Sequence, residues 1–184
     1  MLICGQSNCG KTNTLMHMLR MPMLYFDKIY FYTPNAHQEE IQDLIKLMDD
    51  ILNKVGYEVL EIGDQDDIID TSEYPSYNRK VVIFDDLVNA PDRVQNKIAN
   101  HFTDGRHHLI SPIYLSQSYY DVPQKLRQNC SHMLLYPPST KDHLNLIAKE
   151  NLISPELFDK LGPYEFLFLH KEKKSVKKNF DENV

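Results

Sequence analysis

The sequence of 184 residues contains no tryptophan, only three cysteines and only six glycines. The odd number of scattered cysteines (Cys4, Cys9 and Cys130) argues against a disulfide framework or a metal-binding scaffold, and it favours reduced thiols in a cytosol-like compartment. No apolar run approaches the roughly 18 residues that a membrane-spanning helix needs, so no membrane span is expected. The net charge of −6 does not indicate a nucleic-acid-binding protein. It does not exclude one either, because a local basic patch or a ring of subunits can supply a positive field.

Near its start the sequence contains a complete phosphate-loop motif, G-x-x-x-x-G-K-[ST], from Gly5 to Thr12. An apolar run, residues 1–4, precedes the motif and a helix-compatible stretch, residues 13–20, follows it. This strand–loop–helix context distinguishes a working phosphate loop from a glycine-containing turn with an incidental Lys-Thr pair. In such a loop the backbone N–H groups converge on phosphate oxygens, Lys11 reaches the β- and γ-phosphates, and the Thr12 hydroxyl binds Mg²⁺. The residues predicted to bind a nucleoside triphosphate are Gly5, Gln6, Ser7, Asn8, Cys9, Gly10, Lys11, Thr12 and Asn13.

The remainder of the chain alternates apolar runs with amphipathic stretches, which predicts one α/β domain over residues 1–184 with a mainly parallel sheet. Its core is expected over about residues 1–136, followed by C-terminal helices, a last strand and a basic tail over 137–184. The predicted strands are residues 1–4, 28–33, 57–62, 80–86, 112–117, 132–136 and 164–170. The predicted helices are residues 13–20, 37–55, one starting at 91, a short helix or loop at 122–127, 139–150 and 154–161. Residues 63–79 are predicted to form a loop that could contain a short helix, and residues 171–178 a basic tail.

Two acidic residues end the uninterrupted apolar run at residues 80–86, which is typical of a central parallel strand covered on both faces. At the carboxyl edge of the sheet Asp85 would hold Mg²⁺, directly or through water, and Asp86 would polarise the attacking water. Gln117 ends a later strand and would lie near Asp86, where its amide could contact the γ-phosphate or orient that water. The alternatives are a solvated acidic turn for the pair and an exposed turn amide for Gln117.

Two arginines, Arg106 and Arg127, follow predicted helices and could stabilise a phosphoryl-transfer transition state. An arginine donated to the γ-phosphate of a neighbouring subunit would neutralise developing charge and make hydrolysis depend on assembly. The alternative for each of them is a surface arginine in a local ion pair.

Two histidines, two tyrosines and the basic tail could bind a metal or a nucleic acid, but each also has a simpler structural explanation. His107 and His108 have no third ligand at a suitable spacing, so no zinc site is predicted. Tyr119 and Tyr120 could stack on a nucleic-acid base, but core or interface packing explains them better. The basic tail could contact nucleic acid, and a solvated charged end explains it equally well.

Taken together and in this order, these motifs resemble the viral genome-packaging ATPases, the poxvirus-like branch of the FtsK–HerA superfamily. The resemblance covers about residues 2–136 and rests on the phosphate loop, Val-Val-Ile-Phe-Asp-Asp, Gly-Arg-His-His-Leu-Ile-Ser, Tyr-Leu-Ser-Gln-Ser and Leu-Arg-Gln-Asn-Cys. Departures are Asp86 where many relatives carry Glu, and Cys9 where many carry glycine or another small residue. Neither departure removes a functional group, so an active enzyme is expected.

The resemblance implies a three-layer P-loop NTPase of the ASCE (RecA-like) type that hydrolyses ATP with Mg²⁺ and is stimulated by DNA. It implies a homo-oligomeric ring, a hexamer or pentamer, that drives double-stranded DNA into a preformed capsid through capsid or portal-like vertex proteins. It makes Arg106 the preferred arginine finger in trans, and it places the protein at the viral assembly site in the host cytoplasm or in association with the virion. The alternatives are a P-loop kinase that phosphorylates a small acceptor and a regulatory NTP-dependent switch. Residues 63–79 and 137–163 do not resemble the arginine-rich lid of a kinase.

Overall fold

The computed structural model describes residues 1–21, 24–34, 36, 42, 45–46, 49–50, 60–180 and 182–183. It consists of two compact units: a terminal unit, formed by Met1–Lys11 and Leu115–Val184, and a middle unit, Thr12–Tyr114. Strands alternate with helices along the chain, and each unit contains parallel strand pairs, which confirms the predicted α/β class. That the two units make up one domain stays a prediction.

The described strands are β1 (Leu2–Cys4), β2 (Lys28–Tyr32), β3 (Leu60–Gly63), β4 (Lys80–Asp85), β5 (Ile110–Ser116), β6 (His132–Leu135), β7 (Leu167–His170), β8 (Ser175–Lys178) and β9 (Glu182–Asn183). The α-helices in the described ranges are α1 (Lys11–Arg20), α2 (Asp92–Thr103), α3 (Gln124–Asn129) and α4 (Lys141–Asn151). Single 3₁₀ segments occur at Thr71–Glu73, Gly105–His108 and Pro155–Lys160. None of these helices has both the length and the apolar character needed to cross a bilayer.

In the middle unit, β2 lies between β3 and β4, and both pairings are parallel. Every residue of β4 from Lys80 to Phe84 is buried, as an apolar run that is covered on both faces requires. Lys80 satisfies its buried ammonium by donating to the Pro75 carbonyl. The Lys80 N–H donates to the carbonyl of Leu109 at 2.9 Å, so the residue that precedes β5 is bonded to the start of β4. The acidic end of β4 is thus positioned by a fully buried strand.

Helix α2 of the middle unit starts directly after Pro91 and buries one face. His101 is buried on that face, whereas the neighbouring Phe102 is only half-buried. The imidazole of His101 is bonded to the Lys97 carbonyl at 2.8 Å and to the Tyr74 hydroxyl at 3.2 Å. These two polar partners explain how an imidazole can lie in the core, and burial lowers the pKa of His101.

In the terminal unit, β1 pairs in parallel with β6, and β7, β8 and β9 then continue the sheet in antiparallel order. The residues of β1 are all buried, and so are those of β6 after His132. Parallel pairing places the carboxyl ends of β1 and β6 at the same edge of the sheet. The loop that follows β1 and the residue that follows β6, Tyr136, are therefore neighbours.

Several predicted boundaries are wrong. Helix α1 starts at Lys11 inside the phosphate-loop motif, and β5 starts two residues earlier than predicted. The predicted basic tail is a turn followed by strand β8, because Phe168 and Leu169 of β7 pair with Lys177 and Val176. The 3₁₀ segment at Thr71–Glu73 confirms the short helix that the sequence allows within the loop at 63–79, whereas the predicted helix at 154–161 is 3₁₀. The predicted helix at 37–55 lies largely outside the described residues, as does the start of the strand predicted at 57–62.

Candidate active site

The phosphate loop leaves β1 at Gly5, in the terminal unit. The N–H of Gly5 donates to the Ser116 carbonyl at 3.1 Å, which fixes the start of the loop beside the end of β5. A Cβ atom on Gly5 would lie 2.5 Å from the Cβ of Tyr136 and 2.7 Å from the Sγ of Cys9. Real Cβ atoms do not approach other atoms so closely, so the first glycine of the motif is required by close packing on Tyr136.

The second half of the loop brings Lys11 back to the carbonyl groups of Gly5 and Gln6. Asn8 and Gly10 have φ angles of 60° and 103°, in the left-handed region that glycine and asparagine tolerate best. The ammonium of Lys11 donates to the carbonyls of Gly5 and Gln6, at 2.7 Å each. The loop therefore holds the Lys11 ammonium against its own first two carbonyls. Lys11 is also the first residue of α1, and the N-terminus of a helix favours phosphate oxygens.

Burial disfavours the thiolate form of Cys4 and Cys9, the two cysteines at the loop. Cys4, Cys9 and Cys130 are all free. Burial raises the pKa of Cys4 to about 12, although the charge of Lys11 opposes the shift. Burial also raises the pKa of Cys9, against the lowering effect of Lys11. Cys9 is therefore a small, neutral side chain that packs on Gly5, and that it leaves the motif functional stays a prediction.

A cleft in the terminal unit lies next to the first loop residues. Gly5, Gln6, Gln117, Tyr136 and His143 are among the residues that line it. The Ser116 side chain donates to the Ser118 carbonyl at 2.9 Å and accepts from the Ser118 N–H at 3.2 Å, so the turn that carries Gln117 is held by its neighbours. The structure thus brings Gln117 to the phosphate loop, whereas its role as a γ-phosphate sensor stays a prediction. Its proximity to Asp86 stays a prediction.

The acidic pair lies at the end of β4 in the middle unit, which also contains Thr12. Asp85 and Asp86 are both half-buried. Asp86 has a φ of 53°, a left-handed conformation that is rare for a residue other than glycine and that is enriched at functional sites. Burial raises the pKa of Tyr114 on β5, and the negative charges of Asp86 and Asp85 raise it further. The two carboxylates are therefore close enough to Tyr114 to act on its hydroxyl, which a freely solvated acidic turn would not do.

The two candidate fingers occupy opposite environments. Arg106 is exposed, in the 3₁₀ segment that connects α2 to β5. Arg127, on α3, is 7% exposed. Its Nη2 donates to Oε1 of Glu150 at 2.8 Å and its Nε donates to Oε2 at 2.9 Å, while Nη1 donates to the carbonyls of Tyr119, Tyr120 and Val122. Arg127 is thus committed to contacts inside its own subunit, and its ion pair joins a buried guanidinium to a half-buried carboxylate.

The buried pair predicts a stability effect for Arg127. Burial alone would raise the pKa of Glu150, but the hydrogen bonds from Arg127 and Tyr119 bring it below the usual 4.5. The stabilising contribution is therefore present above pH 4.5 and is lost as the pH falls through the lower folded-state pKa. We expect Arg127→Met to lower the free energy of unfolding by about 3 kcal/mol at pH 7, because it leaves the half-buried Glu150 carboxylate and the carbonyls of Tyr119, Tyr120 and Val122 without their partner. Urea titration measures this change.

The matched control is Arg106→Met, which removes an exposed guanidinium and should change the free energy of unfolding by less than about 0.5 kcal/mol. The double variant Arg127→Met/Glu150→Leu should recover part of the loss, because no charge is then left unpaired. An unchanged urea midpoint for Arg127→Met would contradict a structural role for this pair.

The remaining polar candidates have local partners. The His108 imidazole lies 3.1 Å from the Asp104 carboxylate, and His107 is exposed. Tyr119 is buried and donates its hydroxyl to Glu150 at 2.9 Å, so it belongs to the Arg127 cluster. Tyr120 is exposed and stacks on the His143 ring at 6.2 Å between centroids. Core packing therefore accounts for Tyr119, as the sequence favours.

Two site residues escaped the sequence analysis. Tyr136 is buried beneath the phosphate loop, and its only sequence signal is its place directly after a buried strand. Tyr164 lies beside Gly10 but follows Gly-Pro in a segment that reads as the start of a strand. No local pattern indicates that either ring contacts a loop more than 100 residues earlier in the chain.

Comparison with known proteins identifies the fold and the family. Residues 1–159 match the model of the family described as Poxvirus A32 protein. No curated protein sequence matches the chain. Among solved structures, the DNA-packaging ATPase B204 from Sulfolobus turreted icosahedral virus is similar with a TM-score of 0.67 and 17% identity, over 97% of this chain and 95% of that chain.

Two further structures extend the comparison. The genome packaging NTPase B204 from Sulfolobus turreted icosahedral virus 2, in complex with sulfate, gives a TM-score of 0.70 at 16% identity over 100% of this chain and 96% of that chain. EssC (ATPases 2 and 3) from Geobacillus thermodenitrificans gives 0.54 at 17% identity over 92% of this chain and 37% of that chain. These similarities establish the P-loop ATPase fold. Since the family model matches residues 1–159 of 184, the chain belongs to the poxvirus A32 protein family.

Proposed function

We infer that the protein is an ATP-hydrolysing motor that packages viral double-stranded DNA into a capsid. The observation that carries this function is the family match over residues 1–159, because this segment contains the phosphate loop, the acidic pair, Gln117 and both arginines. The B204 proteins, which share the fold, are genome-packaging enzymes, and one of them has been solved with AMPPCP and with ATP-gammaS. The same nucleotide chemistry fits the loop of this chain.

The residues at the loop suit ATP and Mg²⁺. Lys11, held by two carbonyls, supplies a positive charge for the β- and γ-phosphates. The Thr12 hydroxyl and the Asp85 carboxylate are hard oxygen ligands, and Mg²⁺ completes its octahedral shell with phosphate oxygens and water rather than with a cage of protein side chains. When bound, the ion would neutralise charge on the phosphates. The donor chemistry of Thr12 and Asp85 therefore fits Mg²⁺.

The remaining residues act on water and on developing charge. Asp86 would orient and polarise the attacking water, and its φ of 53° ends the extended conformation of β4 at this residue. Gln117, in the cleft beside the loop, would contact the γ-phosphate and report its loss. The exposed Arg106 can reach a neighbouring subunit, whereas Arg127 is held by Glu150. We therefore assign the finger to Arg106 and a structural role to Arg127.

A finger donated in trans requires a homo-oligomeric ring, and we propose a hexamer or a pentamer. Such a ring would pass DNA through its centre and would dock on capsid or portal-like vertex proteins. Its place of action would be the viral assembly site in the host cytoplasm, or the virion with which it associates. Both the partners and the location follow from the packaging function.

Steady-state ATP hydrolysis with and without linear double-stranded DNA tests this function. We expect DNA to raise the turnover rate. If DNA leaves the rate unchanged at every protein concentration, the motor function is contradicted. Phosphorylation of a nucleoside acceptor would then indicate a kinase, and slow turnover that responds to neither would indicate a regulatory switch.

A further inference from the structure

One exposed aromatic ring stands beside the phosphate loop and takes no part in the core. Tyr164, in the turn before β7, is 72% exposed. Its φ of 65° lies in the left-handed region, which is unusual for a bulky residue. An aromatic residue held in a strained conformation and left in water costs stability, and such costs are typical of functional positions.

The turn that carries Tyr164 is fixed by its flanking residues. The Gly162 N–H donates to Oε2 of Glu165 at 2.5 Å, and the Glu165 N–H donates to the Gly162 carbonyl at 3.2 Å. Glu165 is also paired with the Lys178 ammonium of β8 at 2.9 Å. These contacts hold the ring in place without burying it, so the position of the exposed ring is defined by the fold.

The ring borders the phosphate loop at its second glycine. A Cβ atom on Gly10 would lie 3.5 Å from Cδ1 of Tyr164 and 3.7 Å from the hydroxyl of Tyr136. Gly10 directly precedes Lys11, whose ammonium marks the phosphate position. Tyr136 supports the loop from the buried side, and Tyr164 extends from the loop toward solvent. The two tyrosines therefore both border the side-chain position of Gly10, and only the exposed Tyr164 ring is accessible to a ligand.

We propose that Tyr164 stacks on the nucleobase of the bound nucleotide. A nucleotide whose phosphates lie in the loop must extend its ribose and base away from Lys11, and the exposed face of Tyr164 provides an aromatic platform beside Gly10. Stacking is tolerant of base identity, because every base has a π-face. Tyr164 would then add affinity for nucleosides over bare phosphates. This inference rests on the proposed nucleotide site and is independent of DNA translocation.

The absence of tryptophan from the natural sequence makes the test direct. Tyr164→Trp introduces a single tryptophan at the proposed base site. We expect ATP to quench its fluorescence and inorganic tripolyphosphate, which has no base, to leave it unchanged. Tyr77→Trp is the matched control, since Tyr77 is an exposed tyrosine of the middle unit, and its fluorescence should respond to neither ligand.

Dissociation constants for ATP and tripolyphosphate provide a second test of the proposal. Tyr164→Ala should weaken ATP binding by about 5- to 150-fold, the range expected for one stacked base, and should leave tripolyphosphate affinity unchanged. Tyr164→Phe should retain ATP affinity, because the ring remains. Tripolyphosphate binding by Tyr164→Ala also reports an intact loop.

Two results would overturn the proposal. Equal weakening of ATP and tripolyphosphate binding in Tyr164→Ala would mean that the ring supports the loop through Gly10. Unchanged ATP affinity in Tyr164→Ala, with no ATP response in Tyr164→Trp, would place the base elsewhere. Failure of the underlying site is distinguishable, because the wild-type protein would then bind neither ligand.

Discussion

Replacing Lys11 with alanine should lower the rate of ATP hydrolysis by at least about 10²–10³-fold, the range observed when one preorganised charge-stabilising donor is removed from an active site. The ammonium is positioned by two carbonyls of the loop, at 2.7 Å each, so its charge is in place before the phosphates bind. No other described side chain of the loop carries a positive charge. Steady-state phosphate release measures the effect.

The matched control is Lys125→Ala, which removes an exposed lysine of α3 from the same unit. This variant should retain the wild-type rate, so a general loss of positive charge would be excluded as the cause. Retention of most of the activity by Lys11→Ala would contradict the assignment of the loop as the catalytic phosphate site.

Replacing Arg106 with alanine should lower turnover by about 10³–10⁵-fold, the contribution of an arginine finger, while ATP binding is retained. The guanidinium is exposed in its own subunit, so we expect it to complete the active site of a neighbour. Mixing two inactive variants, Arg106→Ala and Lys11→Ala, tests this directly. In a mixed ring, an Arg106→Ala subunit keeps its loop and can receive Arg106 from an adjacent Lys11→Ala subunit, so the mixture should regain activity.

Arg93→Ala is the control for the finger, because Arg93 is an exposed arginine of α2 paired with Asp66 at 3.5 Å. It should hydrolyse ATP at the wild-type rate. A mixture that stays inactive although the variants form mixed rings would show that Arg106 acts within its own subunit. Full activity of Arg106→Ala alone would remove the finger assignment.

The sequence predicts the fold well where the signal is local. The buried run of β4 and the glycine-bounded loop after β1 are specified by neighbouring residues, so their type and order are evident without coordinates. The basic segment after residue 170 is misleading, because Lys177 and Lys178 alternate along a strand that pairs with β7. The charge composition predicts a solvated tail. The segment forms a strand because it pairs with β7, and the turn between His170 and Ser175 gives no sequence signal for that pairing.

The site is less accessible to sequence reasoning because its contacts are distant along the chain. Arg127 looks like a candidate finger until Glu150, 23 residues later, is placed beside it. The requirement for Gly5 is seen only when Tyr136 is known to pack against it, and the role of Tyr164 depends on its contact with Gly10. Such pairings arise from the tertiary fold, which no periodicity in the sequence encodes.

The most direct test of the central claim is ATP-dependent movement along DNA. A linear double-stranded DNA that carries a bound third-strand oligonucleotide at one end reports translocation as release of that strand. The wild-type protein should release it with ATP and should not release it without nucleotide, and Lys11→Ala should not release it with ATP. Intact triplexes in the presence of rapid, DNA-stimulated ATP hydrolysis by assembled rings would contradict a translocating motor.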